Sequence, residues 1–260
     1  MDNSFIKDFW NDQAEKFNES YWASWGDHFM INLEIEFILK QISENIQILD
    51  IGCANGFSAF KQLEANSKIE ITGVDYAEKM IYTAQNELDT KYKHFVDRIK
   101  FRVGDLCDLH FPDDIFDLAY TTRVLINLPN WELQKKGISE MIRVTKKGGK
   151  AILLEAFWEP LSLLNAIRAL NKLSPLVEHD FNRYLKISKV DDYLSSLNLK
   201  FERIDYSSIY YLGSRFLREL VTEFDKYEGY TNPINEIFYK IQKDYTGGGF
   251  GIQQAYIIYK

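Results

Sequence analysis

Apolar residues follow two different rhythms along the chain, one in the first 45 residues and another after them. Residues 4–44 place apolar positions three and four apart, in FIKDFWNDQAEKF and NLEIEFILKQI, which predicts helices. The aromatic segment YWASWGDHF between them is turn-like. Short apolar runs then alternate with helical patterns, which predicts a parallel sheet with helices on both faces.

The apolar runs predict seven strands. Strand six, FERIDYSSIYYL, and strand seven, GIQQAYIIYK, alternate between apolar and polar positions. Two amphipathic stretches, containing SLLNAIRALNKL and SRFLRELVTEFDKY, predict helical insertions after strands five and six. The predicted strands are 46–51, 69–75, 98–105, 114–122, 150–158, 201–212 and 251–260, and the predicted insertions are 159–187 and 213–249.

Composition narrows the class of protein. The 260 residues include only five prolines, and no linker or repeat is visible, so we expect one domain over 1–260. A net charge of −7 argues against nucleic acid as a partner. The sequence has no run of about 18 apolar residues, so it predicts no membrane span. Its start is unlike a signal peptide, so we expect a cytoplasmic protein. Cys53 and Cys107 predict neither a disulfide framework nor a zinc site, and no metal cluster is visible.

Three acids fall where predicted strands end. Asp50, Asp75 and Asp105 follow strands one, two and three. Each alone is as well explained by capping of the next helix or turn. Because the carboxyl ends of parallel strands meet at one edge, where ligands bind, the set favours a ligand site.

The segment GCANG spaces its glycines as GxxxG, which fits a dinucleotide fingerprint poorly. Bare backbone still lets a ligand approach the turn closely. Asp50 would repel a pyrophosphate there but suits a cation, and Asp75 is well placed for ribose hydroxyls. A ligand with a ribose, a positive charge and no pyrophosphate fits S-adenosylmethionine.

Several segments resemble the class I S-adenosylmethionine-dependent methyltransferases. ILDIGCANG resembles the first motif of that family, GVDYAEKMI the acid of its second strand, and VGDLCDLHFPDDIFDLAYT its adenine-side loop and fourth strand. EMIRVTKKGGKAILLE and the N-terminal FWNDQAEKFNESYW also resemble it, so the likeness covers residues 9 to about 157. Ala54 replaces the usual middle glycine, which predicts a slightly tighter turn.

The resemblance implies a fold and a set of cofactor contacts. The implied fold is α/β: a doubly wound, seven-stranded Rossmann-like sheet whose last strand is antiparallel, with an N-terminal helical lid (1–45), a cofactor-binding core (46–158) and the two insertions over the acceptor. A homodimer interface is the alternative role of the insertions. For each aromatic of the lid, core packing is the alternative to cofactor contact. The implied cofactor-binding residues are Tyr21, Trp25, Asp50, Gly52, Ala54, Gly56, Asp75, Tyr76, Met80, Asp105, Leu106, Thr121 and Thr122.

The implied reaction moves a methyl group to oxygen or nitrogen of a small-molecule acceptor. A sugar or phosphate-bearing biosynthetic precursor is one hypothesis for that acceptor. A hydroxyl or ammonium acceptor must lose a proton, and the candidate bases are His28, His179 and Glu155, with His28 preferred. The alternative functions are a non-catalytic binding module, which cofactor titration would reveal, and an NAD(P)-linked reductase, which the glycine spacing argues against.

Overall fold

A computed structural model describes residues 3–223, 227 and 230–260. Helices and strands alternate through most of them. The helices are α1 (Asn3–Phe17), α2 (His28–Gln41), α3 (Phe57–Ala65), α4 (Glu78–Thr90), α5 (Trp131–Val144), α6 (Trp158–Leu170), α7 (Ile187–Ser196), α8 (Ser208–Leu212), α9 (Arg218–Val221) and α10 (Pro233–Asp244). The strands are β1 (Ile46–Ile51), β2 (Ile69–Asp75), β3 (Ile99–Val103), β4 (Phe116–Thr122), β5 (Thr145–Ala156), β6 (Lys200–Ile204) and β7 (Gln253–Tyr259).

The described strands form one seven-stranded sheet in the order β3-β2-β1-β4-β5-β7-β6. β1 pairs in parallel with β2 and β4, and β7 pairs antiparallel with β5 and β6. The predicted doubly wound sheet with an antiparallel last strand is therefore confirmed. The strand order reverses between β1 and β4, so the crevice at their carboxyl ends is the expected ligand site of such a sheet.

The central strands are buried on both faces, which explains their continuous apolar runs. Ile48 and Leu154 belong to a core cluster on one face, packed with residues of α2, α3 and α6. Leu49 and Leu153, their neighbours along the chain, belong to the cluster on the other face, packed with residues of α5 and α7. The alternation of side chains along each strand thus builds two cores from one sheet.

Strand six is shorter than the predicted 201–212, because its second half is the helix α8. The Asp205 carboxylate accepts the N–H of Ser207 at 3.3 Å, which turns the chain out of the sheet. The Gln242 side chain, from α10, then accepts the N–H groups of Ile209 and Tyr210 at 2.7 and 3.1 Å. This cap comes from a residue 33 positions away, so no local pattern announces it.

The other boundaries differ by a few residues, except at β5. That strand begins at Thr145 rather than at residue 150, because the segment KKGG (146–149) forms an irregularity within it. Gly148 has a φ of +81° there, and its N–H reaches the carbonyl of Lys260 at 2.7 Å. Gly148 thus adopts a turn conformation, but β5 still pairs with β4 on both sides of it.

The insertions are only partly helical. In 159–187, α6 ends at Leu170 and residues 171–186 are mostly irregular. In 213–249, a π-helical turn (Gly213–Leu217) leads into α9, and α10 packs against α8 and α2. The predicted helix SRFLRELVTEFDKY leaves helical conformation after Val221, and its residues 224–226 lie outside the described part.

Candidate active site

The carboxyl ends of β1 and β2 place two buried acids at the crevice. Asp50 is 3% exposed and Asp75 is 8% exposed. Asp105, two residues beyond β3, is exposed at the same edge. The three acids predicted to share an edge therefore do so, but only two of them are buried.

Burial dominates the electrostatics of the two buried acids. It raises the pKa of Asp50 to about 7, with a further increase from the charge of Asp75 and a decrease from the Tyr120 hydroxyl. Burial raises the pKa of Asp75 to about 6, and the backbone N–H groups of Ala77 and Ala54 lower it. Oδ2 of Asp50 is buried and has no hydrogen-bond partner among the described residues. A cationic ligand would stabilise the ionised form of such a group.

The glycine turn after β1 is held by the second strand. The N–H groups of Gly52 and Cys53 both donate to the carbonyl of Val74, at 2.7 and 3.1 Å. The N–H of Ala54 donates to Oδ2 of Asp75 at 3.0 Å. Gly52 has a φ of +78°, and a Cβ there would lie 2.2 Å from a methyl carbon of Val124, so both conformation and space require glycine. Asp75 is thus part of the turn as well as of the crevice.

Two further residues of the turn have structural roles. Ala54 has a φ of +46°, so the residue in the usual glycine position adopts the left-handed conformation itself. Gly56 is the N-cap of α3, and a Cβ there would lie 2.8 Å from the ring of Phe101. The sequence reasoning missed Asn55, whose Nδ2 donates to the carbonyls of Asn18 and Ser20 at 2.7 and 2.9 Å. It ties the N-terminal segment to the turn.

Two clefts open at this edge of the sheet, and both border Gly52, Asp75, Tyr76, Val124 and Asn127. The Tyr76 hydroxyl is buried without a hydrogen-bond partner in the described part of the chain. Of the other predicted cofactor contacts, Asp50, Ala54, Met80 and Thr122 line the first cleft, and Asp105 and Leu106 line the second.

Four predicted cofactor contacts lie outside the linings of these two clefts: Tyr21, Trp25, Gly56 and Thr121. Thr121 is fully buried within β4, and Gly56 shapes the turn. The ring of Tyr21 lies 5.9 Å from that of Phe57 and 5.7 Å from that of His28, so it packs against the start of α3 instead. Trp25 borders a different cavity.

Helix α1 lies over the two clefts, in the position expected for the N-terminal helical lid. Trp10 lines the first cleft, and Nε1 of its indole donates to Oδ1 of Asn127 at 2.8 Å. The N–H of Lys79, in α4, donates to Oδ1 of Asn11 at 3.1 Å, and Lys7 pairs with Glu78 at 2.6 Å. These polar contacts hold α1 across the carboxyl ends of the strands.

A much larger cavity, of about 730 Å³, lies beside the first cleft. Trp10, Ser24, Arg123 and Asn127 border both spaces. The cavity draws residues from α1, from the segment after it, from the irregular part of the first insertion and from the second insertion. Its wall combines polar and charged side chains with aromatic rings, among them Phe9, Trp25, Phe181, Tyr184, Tyr211 and Tyr230.

Two arginines of the cavity wall escaped the sequence reasoning. Arg123 directly follows β4, and its guanidinium pairs with the buried Glu34 at 3.0 Å. Arg215 lies in the π-helical turn and pairs with the fully buried Asp27 at 2.6 Å. A basic residue directly after a central strand was the only local signal for Arg123; nothing near Arg215 marked it.

The structure separates the three candidate bases. His179 borders the large cavity, between the rings of Phe9 and Phe181. His28, the preferred base in the sequence analysis, begins α2, packs on Phe29 and lies outside the walls of the two clefts and the cavity.

Glu155, the third candidate base, binds backbone groups within the fold. It is fully buried, and its two carboxylate oxygens accept the N–H groups of Val124, Leu125 and Ile126 at 3.1 to 3.3 Å. Burial raises its pKa to about 7. Glu155 therefore positions the segment after β4 rather than facing an acceptor.

Among the residues that the structure describes, no group of three or more His, Cys, Asp or Glu side chains is arranged to hold a metal ion. None of the described helices is long and apolar enough to cross a membrane.

Comparison with curated proteins identifies relatives over part of the chain. It is 34% identical over 109 residues to 27-O-demethylrifamycin SV methyltransferase of Amycolatopsis mediterranei, covering 41% of this chain and 37% of that protein. It is 36% identical over 110 residues to demethylmenaquinone methyltransferase of Desulfitobacterium hafniense, covering 42% and 41%. The chain thus spans less than half the length of these relatives.

The fold comparison extends over the whole chain. The structure of magnesium protoporphyrin IX methyltransferase from Synechocystis PCC 6803, with bound SAH, matches with a TM-score of 0.61 and 15% identity, covering all of both chains. The family model described as a methyltransferase domain matches residues 42–199, which include β1 to β5 and the glycine turn. The chain therefore belongs to the class I S-adenosylmethionine-dependent methyltransferases.

Proposed function

We propose that this protein transfers a methyl group from S-adenosylmethionine to an oxygen or nitrogen of a small molecule that occupies the large cavity. One observation carries the proposal. The crevice with buried Asp50 and Asp75 opens beside a cavity of about 730 Å³, and Trp10, Arg123 and Asn127 border both spaces. Volumes of this size are typical of small-molecule sites.

The residues of the clefts fit the cofactor. The buried, unpartnered Oδ2 of Asp50 suits its ammonium group, and Asp75 suits its ribose hydroxyls. Tyr76 and Leu106 offer surfaces for the adenine, with Asp105 at its edge. When bound, S-adenosylmethionine supplies an electrophilic methyl carbon and a thioether leaving group. The protein then has to position the acceptor and exclude water, and positioning accounts for about 7–11 kcal/mol in favourable cases.

The wall of the cavity favours a planar acceptor. Aromatic side chains such as Trp25, Phe181 and Tyr211 offer faces for a ring system. A planar acceptor is thus preferred over a sugar or phosphate-bearing precursor.

His179 is our candidate for the group that takes the acceptor's proton. It is the one of the three predicted bases that borders the cavity. Its side chain is exposed, so it can pass the proton on to solvent.

Two measurements test the proposal in sequence. Calorimetry with S-adenosylhomocysteine checks the cofactor site, with NADH as the competing ligand of the reductase alternative. Incubation with S-adenosylmethionine carrying a tritiated methyl group, together with a panel of phenols, quinols and heteroaromatic amines, then checks for labelled products.

Asp97→Asn serves as the matched surface control for Asp75→Asn, because Asp97 is exposed. The expected result is that Asp75→Asn weakens binding of S-adenosylhomocysteine at least about tenfold and reduces label transfer, whereas Asp97→Asn retains both. Cofactor binding without any labelled product would favour the non-catalytic module, and binding of NADH alone would refute the proposal.

A further inference from the structure

Arg123 occupies the boundary between the cofactor crevice and the large cavity. It follows the last residue of β4 and borders both spaces. Among the described residues that line the first cleft, it is the only cation. Arg215 and Lys16 also border the cavity but lie outside the lining of the cleft. A positive charge close to the cofactor therefore comes from Arg123.

The backbone of Arg123 is held in an unfavourable conformation. Its φ is +60°, in the left-handed region that is unfavourable for a residue with a Cβ. Its N–H donates to the carbonyl of Leu154 at 2.9 Å, and its carbonyl accepts Nδ2 of Asn127 at 3.2 Å. Glu155 binds the next three N–H groups. Strained backbone conformations that are maintained by surrounding contacts in this way cluster at functional sites.

Only some N–H groups of the Arg123 guanidinium have hydrogen-bond partners. Nε and Nη2 donate to the two oxygens of Glu34, at 3.0 and 3.4 Å, and the group lies 4.9 Å from the ring of Trp25. Nη1 makes no hydrogen bond within the described part of the chain. The side chain is 16% exposed. Glu34 and Trp25 therefore fix the plane of the guanidinium and leave one nitrogen for a ligand.

Arg215 differs in these respects. Nη2 donates to Asp27 and Nη1 to Ser214, and the guanidinium lies 4.7 Å from the ring of Tyr230. Because it does not border the first cleft, it cannot contact an acceptor atom that has to meet the cofactor.

We propose that the acceptor carries an acidic hydroxyl on a planar ring, a phenol or an enol, and that Arg123 binds its oxygen as the oxyanion. This inference rests on the proposed function and specifies its substrate class. Hydrogen bonds from a guanidinium to an oxyanion are about twice as strong as neutral ones. They lower the pKa of the hydroxyl, and His179 or water receives its proton. Trp25 and the other rings of the wall contact the planar body.

The state of Glu34 supports this assignment. Its side chain is 4% exposed, and burial raises its pKa while Arg123 lowers it. An oxyanion at Arg123 competes with Glu34 for the same cation, and proton uptake by Glu34 relieves that competition. Glu34 is thus a positioning residue whose charge opposes ligand anions.

The test uses 7-hydroxycoumarin, whose neutral and anionic forms have different excitation spectra. The full chain, saturated with S-adenosylhomocysteine, should bind it with its apparent pKa lowered by about one unit or more, which corresponds to 1.36 kcal/mol per unit. 7-Methoxycoumarin, which has no ionisable hydroxyl, should bind at least about tenfold more weakly at pH 8. Coumarin-3-carboxylate tests the alternative source of an oxyanion, a carboxylate.

Variants of Arg123 and Glu34 should change binding of the anionic probe in opposite directions. Arg123→Gln should abolish the spectral shift, and Arg123→Lys should retain part of it. Glu34→Gln should increase the affinity for the anionic form, a gain that a merely structural role would not produce. Arg102→Gln, which removes an exposed arginine on β3, should match the wild type.

Three outcomes overturn the inference while leaving the proposed function intact: S-adenosylhomocysteine binds but 7-hydroxycoumarin does not, the bound probe keeps the pKa of the free probe, or only coumarin-3-carboxylate binds. Failure to bind S-adenosylhomocysteine refutes the proposed function instead. The wild-type spectrum decides the matter even if Arg123→Gln does not fold.

Discussion

The carboxylate of Asp75 accepts the N–H of Ala54 at 3.0 Å, across the turn that joins β1 to α3. Its other oxygen accepts the N–H of Ala77 at 2.9 Å. One buried acid therefore fixes the glycine turn, begins the segment before α4 and faces both clefts. Ligand binding and local backbone order are coupled at this side chain.

Asp75→Ala should weaken binding of S-adenosylhomocysteine at least about tenfold, because hydrogen bonds to a charged group contribute about 1.5–3 kcal/mol each. The loss of the two backbone contacts should also lower the melting temperature. Calorimetry and thermal melting of Asp75→Ala measure the two effects, and Asp97→Ala provides the surface control. Unchanged affinity in a folded Asp75→Ala protein would refute the ribose assignment.

Ala54→Gly should stabilise the protein, because Ala54 has a φ of +46°, which glycine adopts without strain. The expected gain in the free energy of unfolding is about 1 kcal/mol. Urea unfolding measures it. Ala59→Gly, within α3, provides a control of opposite sign, since glycine in a helix costs about 1 kcal/mol. Destabilisation by both substitutions would contradict the strain at Ala54.

Stability should fall as the pH rises from about 4 to about 7. Asp50 has a folded-state pKa of about 7 against an ordinary value of 3.8, so the folded protein binds more protons in this window. The free energy of unfolding then decreases by up to about 1.4 kcal/mol per pH unit for this group. Asp75 contributes in the same direction up to a pH of about 6.

Asp50→Asn isolates that contribution. The variant should be more stable than the wild type at pH 8, where Asp50 is ionised and buried, and should have no such advantage at pH 4. Urea unfolding of both proteins at the two pH values measures the difference. A difference that is independent of pH would show that the ionisation of Asp50 does not affect stability.

Trp10→Phe should accelerate release of the cofactor, because it removes the hydrogen bond to Asn127 and keeps an aromatic ring over the first cleft. One hydrogen bond of about 1 kcal/mol predicts a roughly fivefold faster dissociation of S-adenosylhomocysteine. Surface plasmon resonance measures the rate. Trp131→Phe, in α5 beside Tyr193, is the matched control. Equal dissociation rates of the two variants would show that the hydrogen bond between Trp10 and Asn127 does not slow release of the cofactor.

His179→Ala should reduce turnover about 10²-fold or more with the acceptor found by the tritium assay, since a general base typically contributes about 10²–10⁴-fold. Affinity for S-adenosylhomocysteine should be unchanged. His28→Ala, outside the cavity wall, should retain wild-type turnover. Equal turnover of the two variants would remove His179 as the base.

The sequence predicted the sheet and the acids at its carboxyl edge because both are local features. A buried strand followed by an acid or a glycine turn is a continuous pattern, and β1 and β2 have the predicted bounds. The predicted end of β6 was wrong because α8 is capped by the side chain of Gln242, which lies 33 positions away in the sequence. Arg215 was invisible because its partner, Asp27, lies 188 positions away.

The two spaces of the site draw on different parts of the chain. The cofactor rim comes mainly from residues 50–128, whereas the wall of the large cavity also comes from 176–184, 211–215 and 252–253. New acceptor preferences can therefore arise by mutation of the later segments without loss of the methyl donor site. Trp10, Ser24, Arg123 and Asn127 are the exceptions, since they border both spaces, and a substitution at any of them alters both walls at once.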